Sequence, residues 1–481
     1  MSEPHDLTAA EQLDALRRRE LHPRELAAHY LERIARLDHR IGAFATVTPE
    51  AALERADALE RADRRAAALW GMPHAEKDLA ARAGVRMTSG SRLRAAHVPE
   101  RSDPIVDVLD DAGVVSLGKT NTPEFGLQSS TENLVSPPTR TPWDLARGAG
   151  GSSGGAAAAV AAGLLPFAVG SDGGGSIRIP AAACGLVGLK PSRGRVPAHG
   201  GQDSLAGLVT SGPIARTVED AALLLDAIAV PPGTGIRAAS DLGATWSTAP
   251  PTWAEGPYLG AAVRGEGRYQ IAVTTDTPWS AVADIVVSEE AAAAMRLAIG
   301  ELTAIGHGLE ELDWPADPRY APAFRTVWQA GAAAIPASGD ELDLLEPLTR
   351  WLLEAGRTRP VTALVEALAH LAAFERATIA AFAPFDAVLT PTLAVPPPPV
   401  GWYDVEDGER NFAQQVLVTP WTSMVNVAGL PAIQLPVHWT DGGLPMGVQL
   451  IGRPGGEHVL LSIGAQLQRR LRWQDRHPAG W

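Results

Sequence analysis

Cysteine is almost missing from this chain of 481 residues, where Cys184 stands alone. A single thiol excludes any disulfide within the chain and leaves the redox compartment unconstrained. Positive charge is also short. Lys and Arg number 41 against 55 Asp and Glu, a net charge of −14. Nucleic-acid binding needs clustered cations to neutralise phosphates, so no nucleic-acid partner is expected. Long hydrophobic runs are missing as well. The longest, residues 156–169, is broken by Gly163 and Pro166 and falls short of the ~20 residues that span a bilayer. The opening residues lack the apolar centre of a signal peptide. The expectation is a cytoplasmic protein with no membrane partner. No fixed-period repeat is present, and no histidine sits in a distinctive setting, so no metal site is expected.

Glycine, by contrast, is concentrated. Residues 148–178, GAGGSSGGAAAAVAAGLLPFAVGSDGGGSIR, hold ten glycines in 31 positions, against about 7% in average proteins. They form two clusters, 150–155 and 173–175, joined by an alanine-rich apolar segment. Glycine weakens helices and strands, so such clusters mark backbone that turns sharply or approaches something closely. The first cluster encloses Ser152 and Ser153, and the second ends on Ser176.

Around this stretch the pattern is that of an α/β protein. Thr8-Ala-Ala-Glu11 is a capping box and predicts a helix to about residue 19. Pro23 suits the first turn of a second helix, to about 37. A strand is expected at 43–47, then a long amphipathic helix from Thr48-Pro49-Glu50. A helix over 103–112 leads to a strand at 114–117 and a loop at 118–123. A helix is expected at 218–230, and 231–268 reads as an irregular surface excursion. Strand 270–274, helix 289–305 and strand 308–312 follow in β-α-β order, which predicts parallel pairing. Helices should fill 318–383, and strands 386–392, 432–437 and 447–451 close the core.

Three chemistries compete for the polar residues. Gly113-Val-Val-Ser-Leu-Gly118-Lys119-Thr120 fits the phosphate-loop pattern and would make a nucleotide-binding protein, although its loop portion reads as a strand. Gly150-x-Ser152-x-Gly154 and Gly151-x-Ser153-x-Gly155 fit a nucleophile elbow, which needs a later histidine such as His199, His307, His370, His438, His458 or His477. The third combines Lys77, Ser152 and Ser176. A buried lysine loses its charge more readily and can serve as a base for a serine, with a second serine passing the proton. Spacing leaves these alternatives open.

The serine–glycine stretch, read with Gly71-x-Pro73-x-x-x-Lys77-Asp78 and Gly118-Lys-Thr-Asn121-x-Pro-Glu124-Phe125 upstream, closely resembles the amidase signature family. Downstream the resemblance runs through Cys184-Gly-x-x-Gly188-x-Lys-Pro191, Gly212-Pro-Ile-Ala-Arg216, Asn426-x-x-Gly429-x-Pro431 and Gly443-Leu-Pro-Met-Gly-Val-Gln449. It implies an α/β fold with one large twisted mixed sheet flanked by helices on both faces. It also implies a Ser–cisSer–Lys triad, with Ser176 as nucleophile, Ser152 after a cis bond from Gly151 as the bridging serine, and Lys77 as base. The oxyanion hole would be the backbone of Gly173, Gly174, Gly175 and Ser176, with Ser153, Asp172 and Arg178 as supports. Gly173 replaces the threonine of many members. The run SDGGGSIRIPA looks more like the subgroup of cyclic-dimer hydrolases and urethanases.

The resemblance therefore implies a cofactor-free hydrolase acting on a small amide or carbamate. A cyclic-amide hydrolase and a glutaminase-type amidotransferase subunit stay open, as does a homodimer. Gln128, Gly151, Trp328 and Trp402 are candidate substrate contacts. Trp279, Trp351, Tyr403, Phe412 and Trp421 are further aromatics of the variable half. One compact catalytic domain is expected: a helical flank (1–68), the signature core (69–230), a variable region supplying a lid (231–385) and the end of the core (386–481).

Overall fold

The computed structural model describes residues 3–62, 65–196, 205–229 and 257–481. Two sheets organise them. The smaller has the order β1-β3-β2, from β1 (Phe44–Val47), β2 (Pro73–Lys77) and β3 (Val115–Thr120). β3 lies antiparallel to β1 and parallel to β2. The larger has eight strands. They are β4 (Phe167–Asp172), β5 (Val187–Lys190), β6 (Thr210–Ala215), β7 (Gln270–Val273), β8 (Gly308–Glu311), β9 (Ala387–Pro391), β10 (Ala432–Trp439) and β11 (Pro445–Gly452). Their order is β4-β6-β5-β10-β11-β9-β7-β8. Pairing is antiparallel from β4 to β9 and parallel across β9, β7 and β8. The sheet is thus mixed, as expected, but the strand bearing Lys77 belongs to a second, separate ladder.

Local signals account for much of this. Thr8 Oγ1 accepts from the Glu11 N–H at 3.2 Å, and the Glu11 carboxylate accepts from the Thr8 N–H at 2.8 Å. This closed box starts the helix Ala9–Arg18. The helix Pro23–Ile41 runs four residues beyond the expected 37 and stops at Gly42, whose φ of 71° ends it in left-handed geometry. The β-α-β unit forms as predicted, with the helix Glu289–Ile305 linking parallel β7 and β8. Helices Tyr320–Ala332, Pro347–Thr358 and Val361–Phe382 fill the expected helical region. Most of the 231–268 excursion, and His199, lie outside the described residues; 258–264 form a helix.

The phosphate-loop reading fails on this fold. β3 extends to Thr120 because it is hydrogen-bonded on both edges. Lys119 is fully buried and its ammonium donates to the Ala80 carbonyl. A Cβ on Gly118 would lie 2.1 Å from the Thr46 carbonyl oxygen. No open loop exists here to receive a phosphate.

The alanine-rich segment becomes the helix Gly154–Ala161, buried along its whole length. Small residues let it sit against neighbouring backbone. A Cβ on Gly155 would meet the Asn121 N at 2.3 Å and the Ala43 O at 2.5 Å, both main-chain atoms. Overpacking a tight core costs about 1–3 kcal/mol even where side chains can yield. Gly155→Ala should therefore destabilise by about 3 kcal/mol or more, read as a lower midpoint in urea denaturation.

Candidate active site

Lys77 is the last residue of β2, and Ser171 and Asp172 are the last two of β4. The ends of the two strands bring these side chains together with the first glycine cluster. The Lys77 Nζ lies 2.7 Å from Ser152 Oγ, 3.1 Å from Ser171 Oγ and 3.3 Å from the Ser171 carbonyl oxygen. Among the described residues no carboxylate pairs with it. Burial removes the ammonium from water and pulls its pKa down to about 7, against a smaller upward pull from Asp172. Near neutral pH the amine is therefore neutral in an appreciable fraction of molecules.

Ser152 follows a cis peptide bond from Gly151. Beside it, a Cβ on Gly126 would lie 3.3 Å from Ser152 Oγ, so the missing side chain there leaves the hydroxyl its room. The Glu124–Gly126 turn is held from beneath. Glu124 accepts from the Ser91 hydroxyl at 2.6 Å and from the Glu346 N–H at 2.8 Å.

The second glycine cluster hangs from Asp172. Its carboxylate accepts from the N–H of Gly175 at 2.7 Å and of Ile177 at 3.1 Å. Arg178 grips both oxygens, at 2.9 and 3.0 Å, and Asn426 Nδ2 adds a contact at 2.8 Å. Asp172 and Arg178 are both fully buried. Burial alone would raise the Asp172 carboxyl, but the Arg178 guanidinium and its hydrogen bonds bring it down to about 2. Arg178 is further tied to Gln449 at 2.5 Å and to Asn426 at 2.6 Å. Because the Gly175 N–H is committed to Asp172, it cannot also serve an oxyanion. The N–H groups of Gly173, Gly174 and Ser176 carry no such commitment among the described residues. Ser153 turns away: its hydroxyl is fully buried against the Ser171 backbone.

Ser176 sits where two cavities meet. The inner one, about 60 Å³, is walled by Trp279, Phe324, Trp328 and Phe412, with Gln128 and Gln415 among its polar members. The outer one, about 700 Å³, holds Ser152, Ser171 and Ser176 on its floor. Trp328 borders both, its ring stacked on Phe324 at 5.5 Å. Gln128 lines the inner cavity and donates to Ser130 at 2.6 Å.

Two expected substrate contacts are corrected. Trp402 lines neither cavity; it is 40% exposed, with its ring edge-on to Tyr403 at 5.1 Å in a surface turn. Gly151 faces protein, since a Cβ there would lie 2.2 Å from the Ser130 carbonyl oxygen. Trp351, Tyr403 and Trp421 also pack away from both cavities. The elbow reading finds no partner: among the described residues no histidine hydrogen-bonds to Ser152 or Ser176, and Lys77 holds that place. Nor does any group of three or more His, Cys, Asp and Glu among them come together as a metal site. No helix among them is long and apolar enough to cross a membrane.

Sequence reasoning missed Ser171, Asn426 and Gln449. All three lay within the quoted motifs. The sign was a polar residue inside an apolar run, as in Val425-Asn426-Val427 and Val448-Gln449-Leu450, where packing alone would not need one.

Comparison with known proteins follows the same outline. The Amidase family model matches residues 25–461. AmiB2 of Mycobacterium tuberculosis, assigned to the amidases, is 37% identical over 468 residues, covering 94% of this chain and 93% of its own. A glutamyl-tRNA(Gln) amidotransferase component of Moorella thermoacetica is 36% identical over 502 residues, with 98% of each chain covered. The solved structure of 6-aminohexanoate cyclic dimer hydrolase complexed with substrate superposes with a TM-score of 0.87 at 29% identity, covering 99% of both chains. With its motifs, its mixed sheet and a family match over nearly its whole length, this chain belongs to the amidase signature family and is an amidase-type enzyme.

Proposed function

We propose that the chain is a serine hydrolase of amide or carbamate C–N bonds in small, largely apolar substrates. The observation that carries this reading is the buried Lys77 amine 2.7 Å from Ser152 Oγ, on the floor of the cavity that also exposes Ser176. Neutral Lys77 takes the Ser152 proton while Ser152 takes that of Ser176. Ser176 Oγ then attacks the carbonyl carbon. The oxyanion that forms is met by the N–H groups of Gly173, Gly174 and Ser176. Its collapse breaks the C–N bond, and the proton held on Lys77 returns through Ser152 to the leaving amine. Water then attacks the acyl ester, or from a carbamate the alkoxycarbonyl ester, by the same relay, and the carbonic acid monoester released in the second case loses CO₂. Asp172 and Arg178 act by shaping the loop, and Ser171 by holding the Lys77 amine towards Ser152.

The apolar inner wall supports apolar or aromatic acyl groups over glutamine. The relative named as an amidotransferase component keeps the glutaminase reading as the rival. Glutamine hydrolysed faster than any anilide, cyclic amide or aryl carbamate would favour that rival. The pH profile tests the base. A free-enzyme pKa near 7 on Lys77 means that kcat/KM should fall about tenfold per unit below pH 7 and level off above it. A profile flat from about pH 5 to 8 would remove Lys77 from the role.

A further inference from the structure

The outer cavity contains a cation that the proposed reaction does not use. Arg94 lines it together with Ser152 and Ser176. The side chain is half-buried, and its guanidinium lies over the Phe125 ring, 5.6 Å from the centroid. Phe125 precedes Gly126, whose missing side chain leaves room for the Ser152 hydroxyl. Arg94 is thereby fixed close to the reacting centre by stacking, which leaves the edge of its fork for a ligand.

Among the described residues no carboxylate pairs with Arg94, and desolvation alone acts on it. Two other partly buried arginines are paired with carboxylates. Arg82 binds Glu76 and Asp110, and Arg193 binds Glu375. The acid on the same cavity wall, Asp103, accepts from the Ala81 N–H at its Oδ2. His97 is the other basic side chain lining the cavity. Taking charge partly out of water without a partner costs free energy, and a bound anion would recover it.

We propose that Arg94 recognises a carboxylate on the half of the substrate that occupies the outer cavity. The preferred substrates are then amides whose apolar half fills the Trp279–Trp328 pocket and whose other half ends in a carboxylate. The inference rests on the reading of Ser176 as the reacting group. General attraction would not mimic it, because a chain of net charge −14 repels anions on average.

Binding separates the two readings because it needs no turnover. In a Ser176→Ala background, N-phenylacetyl-5-aminopentanoate and its uncharged counterpart N-phenylacetyl-pentylamine are titrated by calorimetry. The acid should bind at least about tenfold more tightly, as expected of a charge-assisted bidentate contact, and the preference should shrink with added salt. Arg94→Met should bring the ratio of the two Kd values to near one. Arg94→Lys, which keeps the charge and loses the fork, should retain part of it. A ratio near one before any change at Arg94, or one unaltered in Arg94→Met, would overturn the proposal. If the ratio behaves as expected but neither amide is cleaved by the native chain, the hydrolase reading fails and the anion site stands.

Discussion

Ser176→Ala should lower kcat/KM on any cleaved amide by about four to six orders of magnitude, with little change in stability. The size follows from the relay. In the proposed mechanism Ser176, Ser152 and Lys77 pass one proton along one line, so removing any member stops the same step, and losses do not add. Lys77→Ala combined with Ser176→Ala should therefore be hardly worse than either alone. The residual rate would come from the N–H donors and from binding, which remain. A fluorophosphonate should label Ser176 in the native chain, and mass spectrometry locates the adduct. An adduct on Ser153, or a histidine variant equally dead, would overturn the assignment. Ser153 is a severe control because it lies one residue from Ser152 yet faces the Ser171 backbone.

Arg178→Ala should cost about 3–5 kcal/mol of stability, the largest loss expected from any single change here. Its guanidinium is fully buried with Asp172. Deleting it strands a buried carboxylate that has lost the guanidinium holding it ionised. Against total stabilities of about 5–15 kcal/mol, that loss threatens folding itself. The sign with pH follows from the same shift. Asp172 is lowered below the usual carboxylate value of about 3.9, so its contribution is complete above that value and is lost as pH falls towards 2. Denaturation midpoints for Asp172→Asn and Arg178→Met, alone and together, measure the pair. The double variant should lose less than the sum of the two, because no lone charge is left buried. Activity should be lost with the pair, since Asp172 fixes the N–H groups of Gly175 and Ile177 on either side of Ser176.

The sequence exposed much of this in advance, for identifiable reasons. The capping box at Thr8, the β-α-β order of 270–312 and the two glycine clusters are local signals, and each formed where expected. The meeting of Lys77 and Ser152 rested on family resemblance, because 75 residues separate them and no local pattern spans such a gap. The separate three-stranded sheet was illegible, since strand partners are set by packing across the whole chain. Trp402 was misread for a related reason: a tryptophan in a variable segment carries no mark of which way it points. The commitment of the Gly175 N–H to Asp172 was equally hidden. Only the turn geometry after β4 decides which amides of a glycine run point outward.

Lys77 rides on the smaller ladder, while Ser176 follows a strand of the larger one. Among the described residues no strand pairing crosses between the two ladders. In the proposed mechanism the proton line from base to nucleophile thus runs from one ladder to the other, and the Ser152 hydroxyl is its splice. The packing of the two ladders would then set the length of the relay and the shape of the larger cavity together, because residues that follow β2 and β4 both line it.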